Sequence, residues 1–169
     1  MELLEGIYSR RSVREFTDEA VKRGEIREIL KAGSWAPSGL NNQPWRFLVV
    51  DDVDMLQKLA RYTTDGEIIA SSRVCIAVCA DPTAMYDEIK DYMALGACVE
   101  NMLLAAHGIG LGAVWLGQIL NQAEAVKDLL GIPKEMKLAA VVALGRPARR
   151  GQASERRELS ELILDGYGE

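Results

Sequence analysis

The chain has one histidine and three cysteines among 169 residues. One imidazole and no CxxC pair cannot assemble a zinc centre, so no metal is expected. Cys75 and Cys79 fall at same-face spacing in an apolar run and Cys98 in an apolar helix, so all three read as core side chains. An odd thiol count without a pairing motif argues against a disulfide framework and for a reducing, cytoplasmic setting. Gly-x-Ser-x-Gly and Walker motifs are absent. No stretch reaches the roughly 18 uncharged apolar residues of a membrane-spanning helix. The start, Met1-Glu2-Leu3-Leu4-Glu5, is acidic where a signal peptide is basic. Repeats, low-complexity runs and linkers are missing too, which leaves one domain over residues 1–169. A net charge of −5 and a pI near 5.1 exclude a general nucleic-acid binder, because a phosphate backbone needs a positive face.

An apolar content of 49% is enough for a core that buries roughly 70% of the unfolded surface. Leu3, Leu4 and Ile7 share one face of a short amphipathic helix before Arg10. Ile26, Ile29, Leu30 and Gly33 follow the i, i+3, i+4, i+7 spacing, so a helix runs to about Trp35, where Pro37 ends it. Asp51 or Asp52 can cap a helix that buries Leu56, Leu59 and Ala60. Asp81-Pro82 predicts the start of a long helix to His107, apolar nearly all round from Tyr92 to Ala106 and therefore covered on most faces. His107 sits at its end, placed to cap or pack rather than to act as a base. Asn121 with Glu124 predicts a capping box, and Gly131 and Pro133 close the helix that follows.

Strands are predicted over 46–50, 74–80, 113–116 and 137–144. The last three are too apolar to leave one face in water, so helices cover both sides of the sheet in three layers. Gly108-Ile109-Gly110-Leu111-Gly112 runs from helix into strand, the reverse of a dinucleotide fingerprint, and reads as a tight turn.

Three clusters carry candidate chemistry. In Arg10-Arg11-Ser12-Val13-Arg14, an extended backbone points Arg10, Ser12 and Arg14 to one side, two cations flanking a hydroxyl, which suits an anionic ligand. The same residues also fit a helix-end cation and a Ser12–Glu15 capping box. The stretch from Ala36 to Trp45 is a proline-stiffened loop with a serine and three amides, able to bond a heterocycle's edge or simply to turn. Arg146, Arg149, Arg150, Arg156 and Arg157 could bind a phosphate monoester or form a solvated tail.

In this order and spacing the clusters resemble those of the nitroreductase family of FMN-dependent oxidoreductases, over nearly the whole chain. Arg-Arg-Ser-x-Arg stands at Arg10 to Arg14. Ala-Pro-Ser-x-x-Asn-x-Gln-Pro-Trp is matched at Ala36, Pro37, Ser38, Asn41, Gln43, Pro44 and Trp45. Gly110 to Gly117 and Arg156-Arg157-Glu158-Leu159 match the later segments. The resemblance implies an α+β, three-layer α/β/α fold with a mixed, mainly antiparallel sheet, in an interlocked homodimer with FMN at the interface and the apolar helix as dimer core.

By the same resemblance, Arg10 and Arg156 hold the FMN phosphate, with Arg11 assisting. Ser12 bonds the ribityl or pyrimidine region, and Arg14 approaches N1 and O2 of the ring. Pro37, Ser38, Gly39, Asn41 and Gln43 reach the flavin of the other subunit. The backbone of Trp115, Leu116 and Gly117 lies near N5 and O4. No side chain is expected to be catalytic, because the flavin performs the chemistry. The implied activity passes electrons from NADH or NADPH to a small planar acceptor, nitroaromatic or quinone, by a ping-pong cycle. Reductive dehalogenation, flavin consumption and a non-catalytic flavin-binding role are the alternatives. Ser154 departs from the lysine that many relatives carry there, and the long insertion before the central helix is missing.

Overall fold

Strand β2 (Val74–Ala80) reads Val-Cys-Ile-Ala-Val-Cys-Ala and is buried at every position, so it must lie inside a sheet with both faces covered. The structure, a computed structural model, describes residues 2–149 and 153–164. In it β1 (Trp45–Val50), β2, β3 (Gly112–Leu116) and β4 (Lys137–Gly145) form one sheet in the order β1-β2-β4-β3. All three pairings are antiparallel. Among the described residues the parallel contribution shrinks to one bridge, Ser12 against Ala113.

Side chains alternate between two cores. Val74, Ile76, Val78, Val142 and Leu144 face α2 (Arg23–Ser34) and α5 (Glu88–Gly108), which supply Ile26, Ile29, Cys98, Val99 and Met102. Cys75, Ala77, Cys79, Val141 and Ala143 face α3 (Val53–Leu59), α4 (Gly66–Ser71) and α6 (Ala123–Leu130), which supply Leu56, Leu59, Ile69 and Val126. The result is an α+β fold in three layers. All three thiols are buried, as their strand and helix positions require, and burial pushes Cys75 and Cys98 up to about 12 and Cys79 to about 11. No helix among the described residues is long and apolar enough to cross a membrane.

Local signals hold where the side chain does what its type favours. Asp52 accepts a hydrogen bond from the Met55 amide at 2.8 Å and caps α3. Gly131, at φ +67°, closes α6 in the left-handed conformation. Two expected caps fail. Asp81 does not start α5; its carboxylate takes the Thr83 amide and hydroxyl and the Arg46 guanidinium, making a local turn. The helix begins seven residues after Asp81, at Glu88, where Asp87 accepts from the Lys90 amide. Asn121 lies inside a 3-10 turn (Gln118–Gln122), and Glu124 pairs with the buried Lys127 rather than with a cap. The helix α1 (Leu3–Ser9) forms, but Leu3, Leu4, Ile7 and Tyr8 remain exposed.

Two glycines position the first arginine cluster. Gly112 and Gly145 face each other across β3 and β4. A Cβ on Gly112 would stand 2.7 Å from Val13, and one on Gly145 would stand 2.8 Å from Phe16. The chain from Val13 to Phe16 therefore crosses the sheet through a slot that side chains would close. Backbone bonds fix the crossing: the Val13 amide donates to Ala113 at 3.0 Å, the Thr17 amide to Arg146 at 2.9 Å and the Ala148 amide to Glu15 at 2.9 Å. The substitution Gly112→Ala is expected to cost about 1–3 kcal/mol, because Val13 is β-branched and cannot swing away. Urea unfolding of the two chains checks it.

Candidate functional site

The crossing leaves residues 10–14 along the outer edge of β3, and their side chains separate only in part: Ser12 and Arg14 part from Val13, but Arg10 and Arg11 do not take opposite sides as expected. One cavity of about 320 Å³ is lined by Arg10, Arg11, Ser12, Arg14, Ala153, Ser154 and Arg156. A second, of about 270 Å³, lies around Val13 with Leu103, His107, Leu111 and Ala113, and shares Arg10 and Arg11 with the first. Four guanidinium groups and two hydroxyls thus meet in the first cavity, with no carboxylate among the described residues lining it. Arg156, distant in sequence, is brought to the Arg10–Arg14 segment as expected.

The arginines are not equivalent. The Arg10 Nε lies 3.3 Å from the Glu100 carboxylate of α5 and is buried without a hydrogen bond. Arg11 turns back on α1 and donates from Nη1 to the Tyr8 and Arg10 carbonyls, at 2.7 and 2.8 Å, which complements that helix C-terminus. Arg156 donates to the Ser154 hydroxyl and to the Glu155 carbonyl, so Ser154 orients an arginine where a lysine would add a charge. Among the described residues neither Arg14 nor Arg156 is ion-paired.

The third basic cluster does not act together. Arg146 binds Glu19 at 2.9 Å and Glu25 at 2.8 Å, and Arg149 binds Glu15 at 3.2 Å. These pairs tie the segment that follows β4 to the first part of the chain. Arg157 is exposed and does not line the cavity, and Arg150 lies outside the described residues. His107, in the last turn of α5, has its Nε2 2.8 Å from the Ser9 hydroxyl and so joins the ends of α1 and α5, the packing role the sequence suggests.

The loop bearing Pro37, Ser38, Gly39, Asn41 and Gln43 lines neither cavity. It contains a 3-10 turn (Gly39–Asn41) with Leu40, Asn41 and Gln43 at φ of 55°, 54° and 48°. Non-glycine residues in this region cost on the order of 1 kcal/mol or more each and persist only where surrounding bonds impose them. Those bonds are present: the Gln43 amide donates to Ser38 Oγ at 3.0 Å, and the Gln43 side chain to the Asn41 carbonyl at 3.1 Å. A Cβ on Gly39 would run into the tip of the Tyr86 ring, so any larger residue there would have to displace that half-exposed side chain. At the end of β3, Trp115 and Gly117 are exposed while Leu116 is buried, and these three also stand outside the cavity lining.

Two residues outside the expected set anchor this loop. Asn42 donates from Nδ2 to the Asp91 carboxylate at 2.7 Å and to the Ala84 carbonyl at 2.9 Å. Asp91 is fully buried in α5, and its other oxygen accepts the Tyr86 and Asp87 amides at 2.8 and 3.0 Å. Burial alone would raise its pKa, but the Asn42 hydrogen bond, the two amides and the Lys90 charge outweigh it and hold the carboxyl below its usual value. A lone aspartate inside an apolar helix was the signal available in the sequence. Because the folded-state pKa is depressed, this stabilisation is complete above the ordinary carboxylate range near 4 and fades as pH falls through it. Asp91→Asn should therefore lower stability at neutral pH, with the gap to the parent chain narrowing as pH falls below the ordinary carboxylate range in pH-resolved urea titrations.

The fold that carries this arrangement is shared with known proteins. The model of the Nitroreductase family matches residues 7–70 and 67–146. A protein of Archaeoglobus fulgidus named "Putative NADH dehydrogenase/NAD(P)H nitroreductase" is 41% identical over 149 residues, covering 86% of each chain. A crystal structure from Desulfovibrio desulfuricans, described as a "putative nitroreductase in complex with fmn", superposes with a TM-score of 0.93 at 49% identity, covering 98% of this chain and 96% of that one. The NADPH:FMN oxidoreductase of Vibrio harveyi, solved with NAD+, superposes with a TM-score of 0.88 at 25% identity, covering 96% of this chain and 76% of that one. The chain belongs to the nitroreductase family.

Proposed function

We propose that the chain is an oxidoreductase that uses FMN to take electrons from NADH or NADPH and give them to a small planar acceptor of nitroaromatic or quinone type. Donor and acceptor occupy the same place in turn, a ping-pong order. The observation that carries this reading is the cavity in which Arg10, Arg11, Ser12, Arg14, Ser154 and Arg156 converge without a carboxylate. A phosphate monoester bears close to two negative charges at neutral pH, and four guanidinium groups beside two hydroxyls, with Arg14 and Arg156 free of ion pairs among the described residues, match it in charge. The residues fit the group. Family relatives described with FMN or as flavin oxidoreductases support the same assignment.

FMN, when bound, supplies the electron and hydride transfer that no side chain here could perform. The protein's part is to bind and orient. Arg10 and Arg156 hold the phosphate, and Arg11 assists by fixing the end of α1. Ser12 bonds the ribityl or pyrimidine region. Arg14 sets a positive charge beside N1 and O2, where negative charge develops on reduction. Trp115, Leu116 and Gly117 present backbone near N5 and O4. Pro37, Ser38, Gly39, Asn41 and Gln43 serve the site of the second subunit. The dimer has surface ready for it: α1 exposes Leu3, Leu4, Ile7 and Tyr8, and Ile89 and Met93 of α5 are 75% and 71% exposed. Apolar faces of this kind on one chain mark an interface. One domain, working as a homodimer in the reducing cytoplasm where its three thiols stay unpaired, completes the reading.

Purified protein supplied with FMN should turn yellow in stoichiometric proportion. NADH or NADPH should bleach it without oxygen, a nitroaromatic or quinone should restore the colour, and initial-rate plots should be parallel. A colourless dimer that takes up no FMN would sink the assignment. The Arg156→Ala substitution should weaken FMN binding by about 1.5 kcal/mol, roughly tenfold, the lower end for a charge-assisted bond because the residue is exposed. Flavin retention under dialysis reads this out. Arg14→Ala should lower the reduction potential of the bound flavin and leave retention largely intact, as spectroelectrochemical titration would detect.

A further inference from the structure

We infer that Asp91, acting through Asn42, is a positioning residue for the flavin site: its buried carboxylate holds the loop of residues 38–43 in the strained shape that the site uses. The inference rests on the reading that this loop faces a bound flavin. It goes beyond that reading in assigning a role to two side chains that make no contact with the proposed cofactor cavity.

Three observations converge on it. The loop holds three non-glycine residues at positive φ, a conformation that relaxes unless bonds enforce it. Its internal bonds, from the Gln43 amide to Ser38 and from the Asn41 and Asn42 amides to the Ser38 and Gly39 carbonyls, close the turn on itself without fixing where it sits. Arg46 of β1 holds the Gln43 carbonyl at the end of the loop at 3.2 Å, and the Asn42 side chain fixes the turn itself. Its amide nitrogen reaches both the Ala84 carbonyl and Asp91 Oδ1, so the turn is pinned to the segment before α5 and to α5 itself. The Asn42 carbonyl oxygen is buried without a hydrogen bond, which leaves the amide nitrogen as the end that anchors.

Asp91 is suited to this task in a way that a neutral residue is not. A carboxylate offers acceptor positions on both oxygens. Oδ2 is engaged by the Tyr86 and Asp87 amides, which keep the carboxylate oriented, and Oδ1 remains for Asn42. The charged groups around it are Lys90, one residue before on α5, and Asp87 at the helix cap, which pair with each other at 3.6 Å. Asp91 thus starts the helix and fixes the loop with one group. Tyr86, held by its amide to Asp91, lays its ring against Gly39, so both sides of the loop refer to the same carboxylate.

The test uses the FMN-loaded protein with two variants. Asn42→Ala removes the anchor and leaves the Asp91 bonds to Tyr86 and Asp87 in place. It should speed FMN loss about tenfold, the scale of one hydrogen bond to a charged group, and shift the flavin absorbance band and potential. The FMN-free protein should also lose some stability, because Asp91 Oδ1 is left without its partner, so retention, spectrum and potential are read at a temperature where both chains are fully folded. Asn42→Asp sets a second carboxylate against Asp91, and two such groups share a proton when one is taken up. Its FMN retention relative to the parent chain should be impaired at neutral pH and recover on acidification, compared at pH values where circular dichroism shows both chains folded, so that unfolding does not account for the loss. Variants equal to the parent in retention, spectrum and potential at all pH values would overturn the positioning role alone. A parent chain that takes up no FMN would overturn the proposed function and this inference together.

Discussion

The absence of side chains at Gly112 and Gly145 is the constraint on which the site depends. These residues face each other where β3 and β4 end, and Val13 and Phe16 fill the space their Cβ atoms would occupy. Because the chain can cross there, the segment before it is drawn out along β3, and the alternation of an extended backbone sets Ser12 and Arg14 apart from Val13, while Arg10 and Arg11 line both cavities. The crossing also explains the acidic partners of Arg146 and Arg149. Glu15, Glu19 and Glu25 sit on or just beyond it, and their ion pairs hold the crossing chain against the residues that follow β4. The packing of two glycines thus decides which arginines are left for a ligand and which are spent on the fold.

Charge then supports the proposed ligand. Net charge over the whole chain is −5, yet the cavity gathers four guanidinium groups with one carboxylate, Glu100, near one of them. Like charges at such spacing repel, and water screens the exposed Arg156 more than the half-buried Arg10. A dianionic group entering there relieves repulsion and gains charge-assisted bonds at once. A neutral or cationic ligand would gain neither.

Much of the fold was legible because burial writes itself into composition. Val74–Ala80 could be placed at the sheet centre from its residue types alone, and its range is the observed one. Gly131 and Asp52 act as their chemistry favours because no tertiary partner competes. The failures share one cause, competition for a polar side chain by a group remote in sequence. Asp81 looks like a helix cap, but Arg46 from the neighbouring strand and Thr83 claim it. Glu124 looks like half of a capping box, but buried Lys127 needs a counter-charge more than a helix end needs a cap. The short α4 has too few residues to show a period. At the site, the Arg10–Arg14 and Ser38–Gln43 motifs were visible, while the division of labour among arginines was not, since it depends on where Glu15, Glu19 and Glu25 come to lie. Asp91 and Asn42 went unassigned for the same reason: their bond spans 49 positions.

The directness of the link from β2 to α5 bears on what such a site can discriminate. Residues 81–87 connect them, a span occupied by the Asp81 turn, Tyr86 and the Asp87 cap. There is no chain left over to fold across the loop of residues 38–43, so Leu40 and Trp35 stay 86% and 80% exposed beside it. Selectivity in an open site cannot come from enclosure, which needs walls on all sides of the bound molecule. It has to come from what stacks on a planar ligand and from the charge at the rim, where Lys90 lies 5.4 Å over the Tyr86 ring. A hydrophobic platform with few directional contacts separates related molecules by only small free energies. On the proposed function, breadth toward flat acceptors is then the consequence of a short connection.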